Sequence, residues 1–278
     1  MLPTWYKDNS PKDLILSNDI DSLLSVKLLE MIKPNWKLKY FYDFDSGLFA
    51  AGEKSGSKNA VGVDIALDYK ELKTFDNHVT SDNGKNINPN AINLNNVCGI
   101  YSSNYSRKYC CSTALLIYSL FNIPLPKSDV GKALLLAIDS TYYSYFNPLR
   151  KKRWDWVNVH KHWLCNVLEL NELFEIEQKY KEESFDKLSF INEAKIQLID
   201  EWGDGDYTMY FPLERKDRIE KELEISLDIP ADNFRLLKEV KAKSMYLDGR
   251  HKSDVLKNQE VFSFAMTAKN HCNYSILK

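Results

Sequence analysis

Leu14-Ile-Leu-Ser-Asn-Asp-Ile-Asp-Ser-Leu-Leu-Ser25 decides how this chain is read. The apolar run ends at Ser17, two carboxylates follow at Asp19 and Asp21, and Leu23, Leu24, Val26, Leu28 and Leu29 continue at helical spacing. This predicts a buried strand running into a helix, with Asp-x-Asp at the turn between them. That turn, at the carboxyl end of a strand, is where open α/β sheets bind ligands. One Asp serves as helix cap. The second is surplus unless a cation neutralises it.

Outward from this stretch, Pro34 ends a helix expected over Asp21 to Ile32, because proline cannot continue one. Leu38 to Tyr42 alternates as a strand, and Asp43 to Gly47 reads as a turn. Glu53 to Asn59 is a loop by composition. Ala60 to Ile65 and Leu72 to Phe75 are short apolar runs carrying or meeting an acid, at Asp64 and Asp76. Three such runs predict a mainly parallel sheet whose strand ends converge on one edge. Ser81 to Asn96 is an Asn-rich loop beside that edge. Thr113 to Leu120 and Val130 to Ile138 are apolar helices, the second running into Asp139-Ser-Thr141. Leu168 to Trp202 reads as two linking helices and Trp202 to Asp206 as a turn. Leu223 to Ile229, Val240 to Tyr246, Val261 to Met266 and Asn273 to Leu277 alternate like strands.

The fold class expected is therefore α/β: a parallel-sheet domain over 1–148, a helical linker over 149–205 and a smaller α/β domain over 206–278. The 278 residues accommodate this, and 44% hydrophobic with 27% charged residues is an ordinary globular composition. The net charge of -2 argues against strong general affinity for nucleic-acid backbones, though not against a local basic patch. No apolar run is long enough to span a bilayer, and the first residues carry no signal-peptide pattern. Five cysteines, two of them adjacent at Cys110 and Cys111, do not form a disulfide framework, so a reducing cytoplasm is the simplest location.

Asp19, Asp21, Asp64, Asp76, His78 and Asp139 all lie at the ends of apolar runs. Carboxylates meeting at one edge repel each other unless cations lie between them. Oxygen-rich sites with an occasional His suit Mn²⁺ or Mg²⁺. Two such ions can activate water and neutralise charge on a transferring phosphoryl group.

In order and spacing these residues resemble the DHH phosphoesterases, which include RecJ-type exonucleases and oligoribonucleases. The matching motifs are Asp19-x-Asp21 with Ser25, Val63-Asp64, Asp76-Asn77-His78 and Asp139-Ser140, with Tyr105-Ser-Arg-Lys-Tyr109 and Thr113 to Leu116 between the last two. The likeness covers about residues 13 to 145. It implies one metal on Asp21, Asp64 and Asp139, and a second on Asp19 with Asp64 bridging. It puts His78 on the scissile phosphate, makes Asp76 a buried hydrogen-bonding residue, and lets Lys108 or Arg107 offer positive charge. It also implies a nucleotide or short oligonucleotide as substrate, in a cleft under the C-terminal domain. The oligomeric state stays open, a homodimer included.

Two departures bear on activity. Ile15 and Ser17 stand where relatives carry a His or Asp before Asp-x-Asp. Asn77 replaces the family's first His of Asp-His-His, and an uncharged amide is a poorer ligand than imidazole for a transition metal. The family's Gly-rich His motif has no clear counterpart; Asp248-Gly-Arg-His-Lys252 and Lys269-Asn-His271 read as surface turns. A relative that binds a nucleotide or partner protein without catalysis is the alternative.

Other features have simpler readings. His160-x-His162 with Cys165 lacks the paired spacing of structural zinc sites and reads as packing. Arg150-Lys-Lys-Arg-Trp-Asp-Trp156 fits nucleic-acid steering, or Trp packing at the start of a linker helix. Cys110-Cys111 has no nearby His to form a nucleophile pair and reads as buried small residues. Gly203-Asp-Gly-Asp206 lacks the remaining ligands of a calcium loop.

Overall fold

Leu14, Ile15 and Leu16 are all buried because their strand is covered on both faces. A computed structural model describes residues 1–52, 59–146 and 156–278, without the side chains of 156 and 157. The expected loop at 53–58 and the basic, Trp-rich segment 150–156 therefore lie outside the described residues, apart from the backbone of 156. In β1 (Lys12–Leu16), Leu14 and Leu16 face the main core, while Ile15 enters a second core on the opposite face. An uninterrupted apolar run is what such double burial requires.

The strands β2 (Trp36–Asp43), β3 (Gly47–Ala51), β4 (Ala60–Val63), β5 (Lys73–Phe75), β6 (Ala91–Ile92), β7 (Gln197–Ile199), β8 (Thr208–Tyr210), β9 (Phe234–Tyr246), β10 (Val261–Ala268) and β11 (His271–Leu277) complete the set. Nine of the eleven form one sheet in the order β10-β11-β9-β3-β2-β1-β4-β5-β6, and β7 pairs with β8. The run β2-β1-β4-β5-β6 is parallel. The run β2-β3-β9-β11-β10 is antiparallel. The sheet is thus mixed, with a parallel core, rather than mainly parallel. It runs unbroken past residue 206, since β9 pairs with β3.

β2 shows how a local irregularity serves both cores. Its register against β1 shifts between Leu14 and Ile15, opposite Leu38 and Tyr40. Trp36 and Leu38 therefore point into the main core, whereas Tyr40 and Tyr42 point into the second. The Tyr42 hydroxyl, 2.7 Å from Ser275 Oγ and 2.9 Å from Ser263 Oγ, ties β2 to β10 and β11. The sheet curls so far that β10 bridges back to Leu67 and Val79, in the loops after β4 and β5. Buried Lys252 fastens this closure, bonding Asp68 and the carbonyls of Thr80 (3.1 Å) and Asn86 (3.3 Å).

The main core lies under α1 (Ile20–Ile32), α2 (Thr113–Leu120) and α3 (Asp129–Ala137). α1 and α2 pack together, and their first turns are buried on all sides. Farther along come α4 (Trp156–Lys161), a π-helical turn over His162–Val167, α5 (Asn171–Lys179) and α6 (Lys216–Leu223), with several single turns between.

Two sequence expectations need correction. Leu223 to Ile229 is not a strand: α6 ends at Leu223, and Glu224 takes a left-handed conformation. Its alternation is nonetheless real burial, since Leu223 enters the main core from the end of α6 and Leu227 from the irregular segment after it. The second linking helix gives way to β7 and β8, with Trp202 to Asp206 in the connection between them. Asp200 holds that connection by accepting the amides of Gly203, Asp204 and Gly205.

Candidate metal centre

β1, β4 and β5 are adjacent parallel strands, and β1 lies where the chain order reverses between β2 and β4. Their carboxyl ends therefore deliver Asp19 and Asp21, Asp64, and Asp76 to His78 to one edge. The end of α3 adds Asp139.

Asp19 is the N-cap of α1, its Oδ1 accepting Ser22 N at 3.0 Å. Its other oxygen lies 4.0 Å from Lys195 Nζ. Asp21 is buried and accepts two amides at the first turn of α2, from Thr113 N at 2.7 Å and Ala114 N at 2.8 Å. A carboxylate at a helix N-terminus satisfies amides that the helix itself cannot. Thr113 also donates its hydroxyl to Asp64 Oδ1 at 2.8 Å, so one residue links both acids. Asp64 and Asp139 both have left-handed backbones, with φ of 57° and 53°. Such conformations are uncommon outside glycine and cluster at functional sites.

Asp76 is fully buried. Its Oδ1 lies 2.7 Å from His78 Nδ1, and its Oδ2 accepts Asn93 Nδ2 at 2.7 Å. Asn93 also bonds the His78 carbonyl, and Asn95 bonds the Asn77 carbonyl and accepts Tyr109 N. The Asn-rich loop thus clamps the 76–78 turn from behind. Asn77 donates Nδ2 to Asp139 Oδ2 at 2.9 Å and to the Cys111 carbonyl at 3.2 Å.

Among the described residues, Asp64, Asp76 and His78 each offer a ligand atom within 4.8 Å of the others. Asp19, Asp21 and Asp139 lie outside that group, but close enough for their charges to be felt. Burial pushes the Asp64 carboxyl well above the usual carboxylate range, and the charges of Asp19 and Asp139 push it further. Burial, then Asp64, Asp139 and Asp19, do the same to Asp21. Burial opposes the charged form of His78, but Asp76, Asp64 and Asp139 outweigh it and raise the imidazole to about 9. Its side chain keeps 41% exposure, so solvent screens these fields in part.

The site opens on a cavity of about 900 Å³. Asn77, His78, Asp139 and Lys108 line it, and Met266, Thr267 and Lys269 close it from β10 and the turn after it. Lys108 is therefore placed to meet an anion there. Arg107 is not: it lines a separate groove with His162 and Trp163.

No family model, no curated protein and no solved structure matches the chain.

Sequence reasoning assigned no such role to Thr113 and Asn93, which hold the acids without being acids, or to Asn95, which holds Asn77. The only signal for them was the Asn-rich composition of the loop and the position of Thr113 at a helix start. It also missed that His160 pairs with the buried Glu177, its Nδ1 lying 3.1 Å from Glu177 Oε1. No helix among the described residues is long and apolar enough to cross a membrane.

Proposed function

We propose that this chain is a divalent-metal-dependent phosphoesterase of the DHH type, acting on phosphodiester or phosphate bonds of nucleotides or short oligonucleotides. The observation that supports this most is the gathering of Asp19, Asp21, Asp64 and the Asp76–His78 pair at adjacent parallel strand ends, with Asp139 from the end of α3, beside a cavity that Lys108 also lines. The donor set is rich in oxygen with one imidazole, which suits Mn²⁺ or Mg²⁺. Buried Asp21 and half-buried Asp64 repel one another, and a divalent ion would relieve that. Bound ions would supply an activated water and neutralise charge at phosphorus.

The chain's own residues then have distinct tasks. Asp64, with Asp19 and Asp139, would hold the ions, and Asp21 would anchor α2 and add negative charge behind them. Asp76 fixes the His78 ring through Nδ1, so that the imidazolium can contact a phosphate oxygen. Lys108 offers a second positive charge. β10 and β11 form the substrate-covering part that such enzymes place in a C-terminal domain.

A catalytically impaired relative that binds a nucleotide or a protein is the second reading. Asn77 supports it, because its amide already bonds Asp139 where the family has a metal-binding His. Incubation with Mn²⁺ or Mg²⁺ and a panel of mono- and short oligonucleotides, beside Asp64→Asn, separates the two. Turnover that the variant loses supports the enzyme. Substrate binding without turnover under any metal supports the relative.

A further inference from the structure

Two residues of the stretch that leads into β7 reach the metal centre from outside, and both lie beyond residue 145, where the family resemblance ends. Asn192 closes a single helical turn over Ser189–Asn192. Its Oδ1 accepts Asp139 N at 3.0 Å, and its Nδ2 donates to the Ala137 carbonyl at 2.8 Å and to Ser140 Oγ at 3.5 Å. One side-chain amide thus grips the backbone on both sides of Ile138. The Ala137 carbonyl is among the last of α3, which a helix cannot satisfy itself. Asp139 and Ser140 are both left-handed, with φ of 53° and 50°. Two successive non-glycine residues keep that conformation only where their surroundings fix it. Asn192 fixes the Asp139 backbone, and Asn77 holds the carboxylate through Oδ2 at 2.9 Å.

Farther along the same stretch, Lys195 places its Nζ 4.0 Å from Asp19 Oδ2. The backbone that carries it is pinned. Ile196 N donates to the Asn18 carbonyl at 2.8 Å, and Ile191, Ala194 and Ile196 are buried in the main core. The Lys195 side chain itself is half exposed, so it is free to swing into solvent. Asp19 spends Oδ1 on the cap of α1, which leaves Oδ2 as the oxygen at stake. An ammonium and a divalent ion repel one another and seek the same oxygen.

We propose that segment 192–196 sets the affinity of the metal centre, with Asn192 as the positioning residue that aims Asp139 and Lys195 as a counter-cation that contests Asp19 with the ion. The inference rests on the divalent-ion reading above. It assigns the two residues opposite effects. Removal of the Asn192 amide lets Asp139 leave its left-handed turn, and the ion loses a preorganised carboxylate. Removal of the Lys195 charge leaves Asp19 to the ion. A segment that merely supported the fold would not shift binding in opposite directions at these two positions.

The test titrates Mn²⁺ into the full-length protein and reads the free ion by electron paramagnetic resonance. Asn192→Ala should bind about tenfold more weakly than the wild type, the scale on which partners of metal ligands act. Lys195→Met should bind about two- to fivefold more tightly, the scale of an exposed ion pair. Lys195→Arg keeps the charge and should return to wild-type affinity. If Asn192→Ala does not fold, its effect is read in a Ser140→Gly background, because glycine adopts the left-handed turn without strain. Either Asn192→Ala or Lys195→Met matching its parent, or both shifting in the same direction, overturns the inference and leaves the metal centre standing. A wild-type protein that binds no Mn²⁺ overturns the metal centre and this inference with it.

Discussion

Asn77 donates its side-chain amide to Asp139 at 2.9 Å, across the 62 residues that separate them in sequence. The N–H thereby does for Asp139 part of what a cation would do. It also turns the amide nitrogen, rather than the carbonyl oxygen, toward the carboxylate. Asn77→His replaces that donor with an imidazole that can bind metal. The variant should tighten Mn²⁺ binding on the order of tenfold, the scale on which changes around a metal site act. Titration calorimetry reads this directly, and unchanged or weaker binding would sink the idea.

The crowding of Asp64 makes stability depend on pH and metal. Its folded carboxyl titrates well above the unfolded value near 3.8, because of burial and then Asp19 and Asp139. The fold therefore holds the proton more tightly than the unfolded chain. The associated stability is complete at acid pH, and it is lost as pH rises from about the unfolded value through the raised folded one. Asp64→Asn removes the charge but keeps an acceptor for the Thr113 hydroxyl, and Asn tolerates the left-handed backbone. Without divalent ions, the variant should melt higher than the parent at pH 8, by about 2–4 °C per kcal/mol of relief. The gap should shrink toward pH 4. A variant that melts lower at pH 8 contradicts the repulsion.

Gly131 shows a different constraint, in the packing of α3 against α6. A Cβ there would lie 2.1 Å from the Glu222 carbonyl oxygen and 2.7 Å from Pro126 Cβ. Alanine gains about 1 kcal/mol of helix propensity over glycine. The backbone clash outweighs it, since overpacking costs about 1–3 kcal/mol and a carbonyl cannot rotate away. Gly131→Ala should lower stability in urea by up to about 2 kcal/mol net of that gain. Equal or greater stability would show that α6 moves freely.

Much of the parallel core was legible because burial on two faces leaves a plain mark. Leu14 to Leu16 and Ala60 to Val63 are continuous apolar segments, each followed by an acid, and the shorter run to Phe75 meets Asp76. The start of α1 was legible from Asp19, which caps it. The antiparallel wing was seen strand by strand but not in its place, because pairing β9 with β3 joins residues nearly 190 apart and no local pattern encodes that. β3 itself was missed, since Gly47 to Ala51 is short and follows a turn. The acids of the site were legible as strand-end residues. The hydrogen bonds that set their roles were not. Nothing near Asp21 in sequence says that both its oxygens go to the amides of α2, or that Asn77 bonds Asp139. The pairing of His160 with Glu177 was invisible for the same reason: it joins two separate segments.

The central claim is that the strand-end carboxylates bind a divalent ion. Mn²⁺ titrated into the metal-free protein and followed by electron paramagnetic resonance tests it, with Asp64→Asn alongside. Loss of the free-ion signal at stoichiometric protein, abolished or weakened at least about tenfold in Asp64→Asn, is the predicted result. A free-ion signal that the wild-type protein leaves unchanged, or binding that Asp64→Asn retains in full, would contradict it.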